Sequence, residues 1–287
     1  MDTKKLGHTD IDIPVIGMGT WNVAPPDEYA PAVVDDDKVI EALIFGIERG
    51  LTHIDTAEMY GDGHAEQLIG QAIKHIDRTA LFIATKVEPE HYHYSSVLQA
   101  AKGSLKRLGT DYIDLYQLHW PTRNVPIAET MRAMEELVDE KVVRFIGVSN
   151  FSVGQLEQAQ KALTRYRIVS NQVKYNVFER GIESDLLPFA EREHITITAY
   201  SPFATGGLFE YSGEGIDVVA HLAGKYHRTA AQIYLNWLIA RKQVITIPKA
   251  IQISHLEENA GASEWRMETE DYELVGRAFS TEVARRF

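Results

Sequence analysis

The segment from Leu51 to Lys86, LTHIDTAEMYGDGHAEQLIGQAIKHIDRTALFIATK, contains one complete strand–helix–strand pattern. Leu51–Asp55 and Ala80–Lys86 are short, apolar and typical of strands. Between them, apolar residues recur every three or four positions, as they do on one face of a helix. Nearly continuous apolar strands that alternate with amphipathic helices indicate a parallel sheet covered by helices on its outer face.

The same alternation extends along the chain and gives eight strand candidates in all. These are Val15–Gly19, Leu51–Asp55, Ala80–Lys86, Tyr112–His119, Val142–Ser149, Ile168–Gln172, Ile195–Tyr200 and Val244–Pro248. The helical patterns that separate them are Asp37–Arg49, Ala65–His75, Ser95–Leu108, Ile127–Asp139, Ser152–Leu163, Ser184–Glu193 and Thr229–Arg241. Eight strand–helix units favour an α/β fold closed into a (β/α)8 TIM barrel over an open doubly wound sheet.

Two further segments complete the predicted architecture. Lys4–Leu6 and Ile11–Ile16 flank the turn-forming residues Gly7–Asp10, which predicts an N-terminal β-hairpin ahead of the barrel. The glycine-rich stretch Thr205–Gly215, after the seventh strand, predicts a long, mobile loop. No linker or change of composition divides the chain, so we expect residues 1–287 to form a single domain.

Composition excludes several classes of function. The chain has 41 acidic and 29 basic residues and a formal net charge of −12, which disfavours nucleic acid and anionic membranes as partners. It has no cysteine, so disulfides, thiol nucleophiles and cysteine-bound metals are excluded. It also lacks a signal peptide or a run of about 18 apolar residues, and the cytoplasm is therefore the expected compartment.

Polar residues close most of the predicted strands. In an α/β barrel the carboxyl ends of the strands meet at one mouth, where catalytic residues gather. Asp55, Lys86 and His119 end consecutive strands, and we expect them to converge there. Because buried charges are costly unless paired, the sequence predicts an ion pair between Asp55 and Lys86.

Tyr60 follows Asp55 by five residues and adds a phenol near the same mouth. A free phenol has a pKa of about 10, too high for ready proton exchange at neutral pH. A neighbouring ammonium stabilises the phenolate, and a carboxylate keeps that ammonium charged and in place. A nearby imidazole can orient a substrate oxygen. The set suits proton donation to a developing alkoxide, but a cofactor must supply any hydride.

These residues lie within a series of motifs that resembles the aldo-keto reductase superfamily over most of the chain. The motifs are His53–Gly61, Ala65–Gly70, Ile83–Lys86, Asp114–Pro121, Ile146–Phe151, Asn171–Val173, Ala199–Pro202 and Ile247–Lys249. They occur in order, about one in each barrel unit. The resemblance implies a catalytic tetrad of Asp55, Tyr60, Lys86 and His119, with Tyr60 as the general acid that helps reduce aldehydes or ketones to alcohols.

The resemblance also implies an extended nicotinamide cofactor across the barrel mouth. Its predicted binding residues are Gly19, Thr20, Trp21, Asp55, Ser149, Asn150, Gln172, Tyr200, Ser201, Lys249, His255, Glu258 and Asn259. A Rossmann fingerprint is absent, because Gly17-Met18-Gly19 leads to Asn22 where a third glycine is needed. We expect NADPH as the cofactor. The use of NADH stays open, because Ala250 and His255 replace residues that hold the 2′-phosphate in many relatives.

Three residues are predicted to contact the substrate, Trp21, Glu88 and Trp120. Glu88 stands where many relatives carry an aromatic pocket residue, and its carboxylate favours a polar or sugar-like carbonyl compound. The expected partner is therefore a small-molecule carbonyl substrate. The sequence does not indicate an oligomeric state.

Two alternatives remain at this stage. The first is a non-catalytic nicotinamide-nucleotide-binding barrel that acts as a redox sensor or regulatory subunit, since fold does not fix function. The second is a metal-dependent barrel enzyme that uses His91 and His93. No third ligand at a convincing spacing follows this histidine pair, so we expect no metal site.

Overall fold

Eight parallel strands form the centre of the molecule. The computed structural model describes residues 1–25, 35–210 and 212–283, and the side chains of those up to residue 279. In these residues the strands are β1 Thr3–Lys5, β2 Asp12–Pro14, β3 Met18–Gly19, β4 His53–Asp55, β5 Phe82–Val87, β6 Ile113–Leu118, β7 Val143–Ser149, β8 Ile168–Lys174, β9 Thr196–Tyr200 and β10 Val244–Thr246. Strands β3 to β10 pair with their neighbours in chain order.

Backbone hydrogen bonds between the segment that leads into β3 and the last strand, β10, close the sheet into a barrel. Gly17 N donates to Thr246 O at 2.8 Å, and Thr246 N donates to Val15 O at 3.0 Å. The strands approach most closely at the rim, where a Cβ on Gly19 would lie 2.6 Å from Ile247 O. Only glycine fits there. The predicted (β/α)8 barrel is confirmed.

Helices cover the outer face of the barrel. They are α1 Asp36–Glu48, α2 His64–Ile73, α3 Tyr94–Leu108, α4 Ile127–Asp139, α5 Val153–Ala162, α6 Leu186–Glu193, α7 Gly207–Glu210, α8 Glu214–Tyr226, α9 Ala230–Ile239, α10 Ile253–Ala260 and α11 Thr269–Val283. Each of the seven predicted helical patterns corresponds to one of them, with ends that differ by up to two residues.

The helical content after β9 exceeds the prediction. Thr205–Gly215 was expected to be a long loop, but it contains α7 and the first residues of α8. The prediction was wrong because glycine does not always indicate a loop: Gly215 is buried within α8 and packs on Phe279. Neither α8 nor α10 was predicted.

The predicted N-terminal hairpin closes the lower end of the barrel. Strands β1 and β2 pair antiparallel, with Lys4 opposite Ile13. Leu6 and Ile13 are buried in a small apolar cluster inside the barrel, together with Phe82, Leu115 and Val169. This end is therefore apolar and filled, and the polar interior residues lie toward the carboxyl ends of the strands. In the described residues, no helix combines the length and the apolar character that crossing a membrane requires.

Candidate active site

A buried ion pair lies at the carboxyl ends of β4 and β5. Lys86 Nζ is 2.6 Å from Asp55 Oδ2, and the side chains are 0% and 2% exposed. The ammonium also donates to Thr56 O at 2.8 Å and to Tyr60 Oη at 3.3 Å. Burial by itself lowers the pKa of Lys86, but the charge of Asp55 and the oxygen of Tyr60 outweigh it and raise that pKa overall. Lys86 is therefore charged at neutral pH.

Tyr60 reaches this ion pair from a tight turn after β4. Tyr60 N donates to Ala57 O at 3.1 Å, and the next residue, Gly61, has a φ of +55° that favours glycine. A side chain on Gly61 would also lie 2.9 Å from Ala24 Cβ, so the turn packs closely on the loop after β3. The Tyr60 ring is largely buried and lies under the Lys86 ammonium, 4.9 Å from ring centroid to Nζ.

His119 follows β6 and completes the group. Its ring meets the Tyr60 ring edge to face, with centroids 5.6 Å apart, and stacks on Trp120. Burial, and then the charge of Lys86, lower the pKa of His119 to about 2. The imidazole is therefore neutral. Its Nδ1 is buried without a hydrogen-bond partner in the described part of the chain, whereas Nε2 is not among the buried unpartnered atoms.

The structure thus brings Asp55, Tyr60, Lys86 and His119 together, and it adds two glutamines to their surroundings. Gln172 Nε2 donates to Asp55 Oδ1 at 2.6 Å, and Gln117 Nε2 approaches the same oxygen at 3.4 Å. Gln117 was not predicted as a site residue. The alternation of side chains along a strand could have indicated it, because residues two apart share a face and Gln117 precedes His119 by two.

His53 was also missed, and it shares the barrel-facing side of β4 with Asp55. It is 1% exposed, and both ring nitrogens lack a hydrogen-bond partner among the described residues. Burial, the largest influence, lowers the pKa of His53 to about 4. The residue is therefore a neutral imidazole beneath the ion pair.

Side chains that suit a carboxamide lie on the neighbouring strand ends. Ser149 Oγ donates to Gln172 O at 3.0 Å, and Asn150 Nδ2 donates to Ser149 Oγ at 3.0 Å and to His119 O at 3.3 Å. Tyr200 Oη donates to Asn150 Oδ1 at 3.0 Å. Burial raises the pKa of Tyr200 to about 12, so its phenol stays protonated. Gln172 Oε1 accepts no hydrogen bond from the described residues and is available to a carboxamide N–H.

The remaining predicted cofactor residues surround this group on two sides. Thr20 N and Oγ1 both donate to Asp55 O at 3.0 Å, which places Gly19, Thr20 and Trp21 beside the ion pair. Ser201 has a φ of +50°, and its carbonyl accepts from Asn176 Nδ2 at 2.9 Å.

Lys249 bridges to Gly19 through the backbone, and in the described structure its side chain forms no ion pair. Helix α10 follows Lys249 and carries His255, Glu258 and Asn259, of which Asn259 is buried and His255 exposed. An unpaired lysine, an open amide acceptor and a neighbouring phenol ring are together compatible with an extended, phosphate-bearing nicotinamide cofactor.

Glu88 and the two tryptophans lie at the mouth. Trp21 and Trp120 are 36% and 47% exposed. Glu88 is not simply directed to solvent, because its carboxylate lies 3.4 Å from His91 Nδ1 and its N–H donates to Glu58 Oε1 at 2.9 Å. Burial, and then the charge of Glu58, raise the pKa of Glu88.

The predicted histidine pair does not face a common point. His91 Nδ1 contacts Glu58 at 3.0 Å, whereas His93 Nδ1 contacts Glu129 at 3.2 Å. Glu58, Glu88 and His91 do form a group whose ligand-type atoms lie within 4.8 Å of one another. Glu58 Oε1 already accepts hydrogen bonds from Glu88 N and faces His91, so the group is held together without an ion.

Comparison with known proteins identifies the family. Residues 15–278 match the Aldo/keto reductase family. The chain is 36% identical over 270 residues to the methylglyoxal reductase YeaE of Escherichia coli, covering 94% of this chain and 92% of that protein. It is 32% identical over 276 residues to the glyoxal reductase of Bacillus subtilis, covering 96% and 91%.

Solved structures agree. The thermostable aldo-keto reductase Tm1743, solved with the inhibitor epalrestat, superposes with a TM-score of 0.90 at 40% identity and covers 97% of this chain and 100% of that one. An aldo/keto reductase from Klebsiella pneumoniae, solved with NADP and acetate, gives 0.84 at 37% identity, covering 96% and 95%. The chain belongs to the aldo/keto reductase family. Its family and its oxidoreductase relatives identify it as an NAD(P)H-dependent carbonyl reductase.

Proposed function

We propose that the protein reduces small, polar carbonyl compounds of the α-oxoaldehyde type to alcohols, with Tyr60 as the proton donor. The observation that carries the proposal is the position of the Lys86 ammonium, which is shared between Asp55, Thr56 O and Tyr60 Oη at the barrel mouth. A charged ammonium on a phenol oxygen favours the phenolate and so makes the phenol a better acid. Hydride for the carbonyl carbon comes from the reduced nicotinamide.

The other residues of the mouth have separate parts in this scheme. His119 is neutral, and we assign its Nε2–H as the donor that orients the substrate oxygen beside Tyr60 Oη. When the carbonyl carbon is reduced, its oxygen becomes basic and takes the Tyr60 proton. Lys86 then stabilises the phenolate until solvent returns a proton. Asp55 keeps Lys86 charged throughout, and Gln172 fixes Asp55.

The cofactor is held by residues on either side of the tetrad in this proposal. Ser149, Asn150 and Gln172 bind the carboxamide, and Tyr200 packs on the nicotinamide ring. Lys249 binds the 2′-phosphate with His255, which gives NADPH an advantage over NADH, and Glu258 and Asn259 hold the adenosine. The absence of a carboxylate partner for Lys249 among the described residues supports this role.

The substrate class follows from the mouth and from two relatives. Trp21 and Trp120 offer exposed aromatic walls, while Glu88 adds a carboxylate held by His91. A carboxylate accepts hydrogen bonds from hydroxyl groups, which hydrated oxoaldehydes and sugars provide. The relatives named methylglyoxal reductase and glyoxal reductase support the smaller compounds.

A steady-state screen tests this proposal. Oxidation of NADPH and NADH is followed with methylglyoxal, glyoxal, simple aldehydes and aldose sugars. We expect turnover of the short dicarbonyls with NADPH and a lower kcat/KM for purely aliphatic aldehydes. Glu88→Gln should raise KM for the dicarbonyls and leave kcat nearly unchanged. The difference in kcat/KM between dicarbonyls and aliphatic aldehydes should therefore become smaller. Tight NADPH binding without turnover of any carbonyl would instead indicate a nucleotide-binding sensor.

A further inference from the structure

A second cavity lies at the end of the barrel opposite the candidate active site. Its volume is about 500 Å³. It is lined by Lys4, Lys5, Gly7, His8, Thr9, His194, Lys242 and Gln243. Gly7 to Thr9 form the turn of the hairpin, whereas His194 and Lys242 each lie two residues before a strand, β9 and β10. The cavity therefore lies between the hairpin and the amino ends of the last two strands, where the tetrad does not reach.

The lining of this cavity is basic although the protein is acidic. Five of its eight residues are lysine or histidine and none is a carboxylate. The chain as a whole carries 41 acidic and 29 basic residues. Because no carboxylate lines the cavity, its lysines and histidines make it more favourable for an anion than the acidic chain as a whole.

Two of the lysines are already engaged. Lys4 Nζ donates to three backbone carbonyls, Ile239 O at 2.6 Å, Arg241 O at 2.7 Å and Val244 O at 2.6 Å. This lysine therefore ties the hairpin to the end of α9 and the start of β10. Lys5 Nζ donates to Asp10 O and to Asp12 Oδ2, at 2.8 and 2.9 Å. Lys4 therefore has no donor left for a ligand, and Lys5, paired with Asp12, keeps one of its three.

The other three basic side chains are not engaged. Lys242, His8 and His194 form no side-chain hydrogen bond or ion pair with the described residues. Burial, and then the charges of Arg167 and His194, lower the pKa of His8, so its imidazole is neutral at neutral pH and offers an N–H donor. Arg167 lies 3.9 Å from the Glu193 carboxylate and donates to Glu193 O at 3.3 Å. Three donors on three separate chain segments therefore surround one cavity.

We propose that this cavity binds a small polyvalent oxoanion, a phosphate- or carboxylate-bearing metabolite, through Lys242, His8 and His194. Such an anion accepts a charge-assisted hydrogen bond from the Lys242 ammonium and N–H hydrogen bonds from the two imidazoles. The ligand connects the hairpin turn, the segment before β9 and the segment before β10. Binding to the folded state alone therefore stabilises the protein without entering the reaction at the other end.

Isothermal titration calorimetry on the NADP⁺-saturated enzyme tests the proposal, because the cofactor then blocks anion binding at the mouth. Inorganic pyrophosphate and citrate are titrated separately at constant ionic strength. We expect one saturable site, and a melting temperature that rises with anion concentration. Lys242→Gln should weaken binding about tenfold, as loss of one charge-assisted hydrogen bond implies, and Lys242→Gln/His8→Gln should weaken it further.

The matched control is Lys102→Gln, which removes the same charge from an exposed position on α3. It should leave both the affinity and the anion-dependent rise in melting temperature unchanged. Saturation by pyrophosphate alone assigns a phosphate-bearing ligand, and saturation by citrate alone assigns a carboxylate. Saturation by neither, or equal weakening by Lys102→Gln and Lys242→Gln, would overturn the proposal.

Discussion

Asp55 and Asp114 are both fully buried carboxylates on barrel strands, yet the groups around them differ. Asp114 accepts from Arg78 at 2.7 Å, from Arg144 at 2.6 Å and from Ile83 N at 2.9 Å. Both arginines extend to solvent, with 18% and 41% of their side chains exposed. Asp114 and its partners therefore link β5, β6 and β7 to one another.

The ion pair of Asp55 and Lys86, in contrast, has no partner that extends to solvent. Lys86 is completely buried, and the part of its ammonium that Asp55 does not use reaches Thr56 O and Tyr60 Oη. Burying two charges costs free energy that a simple brace can avoid. The comparison indicates that Asp114 serves stability, whereas Asp55 maintains a charge beside a phenol.

The largest effect is expected from removing that phenol. Tyr60→Phe should lower kcat by about 10²- to 10⁴-fold, the usual range for losing a general acid. NADPH affinity and the melting temperature should stay close to those of the parent protein, because the ring and its contact with His119 are retained. Steady-state kinetics measure kcat, a fluorescence titration measures NADPH affinity, and a thermal melt gives the melting temperature. A variant with near-normal kcat would remove Tyr60 from the mechanism.

Asp114→Asn should have the opposite profile. The free energy of unfolding should fall by about 2–3 kcal/mol, less than for a fully buried partner because both arginines can turn toward water. The kcat of the folded fraction should not change. Denaturant unfolding and active-site-normalised kinetics test this pair of outcomes. A large loss of kcat without loss of stability would erase the distinction between the two carboxylates.

Lys249 extends the comparison to a cation that has no carboxylate partner in the described structure. Lys249→Ala should weaken NADPH by about tenfold, through loss of one charge-assisted contact to the 2′-phosphate, and leave NADH nearly unaffected. Fluorescence titration with both reduced cofactors measures the ratio. Equal weakening of the two would show that no 2′-phosphate is held by Lys249.

The smallest expected effect concerns His119. Its pKa of about 2 keeps the imidazole neutral between pH 5 and 8, unlike a free histidine with a pKa of about 6.5. Between pH 5 and 8, kcat of the parent protein should therefore show no inflection caused by His119. The pH profile of His119→Gln should have the same shape. An inflection near pH 6.5 that this substitution abolishes would mean that His119 titrates.

The barrel, and the meeting of Asp55, Lys86 and His119 at its mouth, were predictable because each depended on a local pattern. Eight apolar runs gave the strands, and the polar residue after each run gave the mouth. Gln117 and His53 lie on those same strands, but an isolated polar residue within an apolar run does not show which group it will meet. The contact between Gln172 and Asp55 joins residues 117 positions apart, and only the closed barrel brings them together.

The region after β9 was less predictable for a different reason. Gly215 was expected in a loop, but it is the second residue of α8, where its lack of a side chain lets Phe279 pack against it. Sequence pattern alone assigns glycine to a turn, and the neighbour that reverses this assignment lies 64 positions further along the chain.

We propose that the Asp55–Lys86 pair makes Tyr60 acidic. The fall of kcat for carbonyl reduction at high pH, the alkaline limb of its pH profile, tests this most directly. Because Tyr60 must carry a proton to act as the acid, kcat falls as the phenol ionises at high pH. The double variant Lys86→Met/Asp55→Asn removes both charges without leaving either one unpaired. Its limb should move to higher pH, toward the value of about 10 for a free phenol. A limb at the same pH in both proteins would contradict the account.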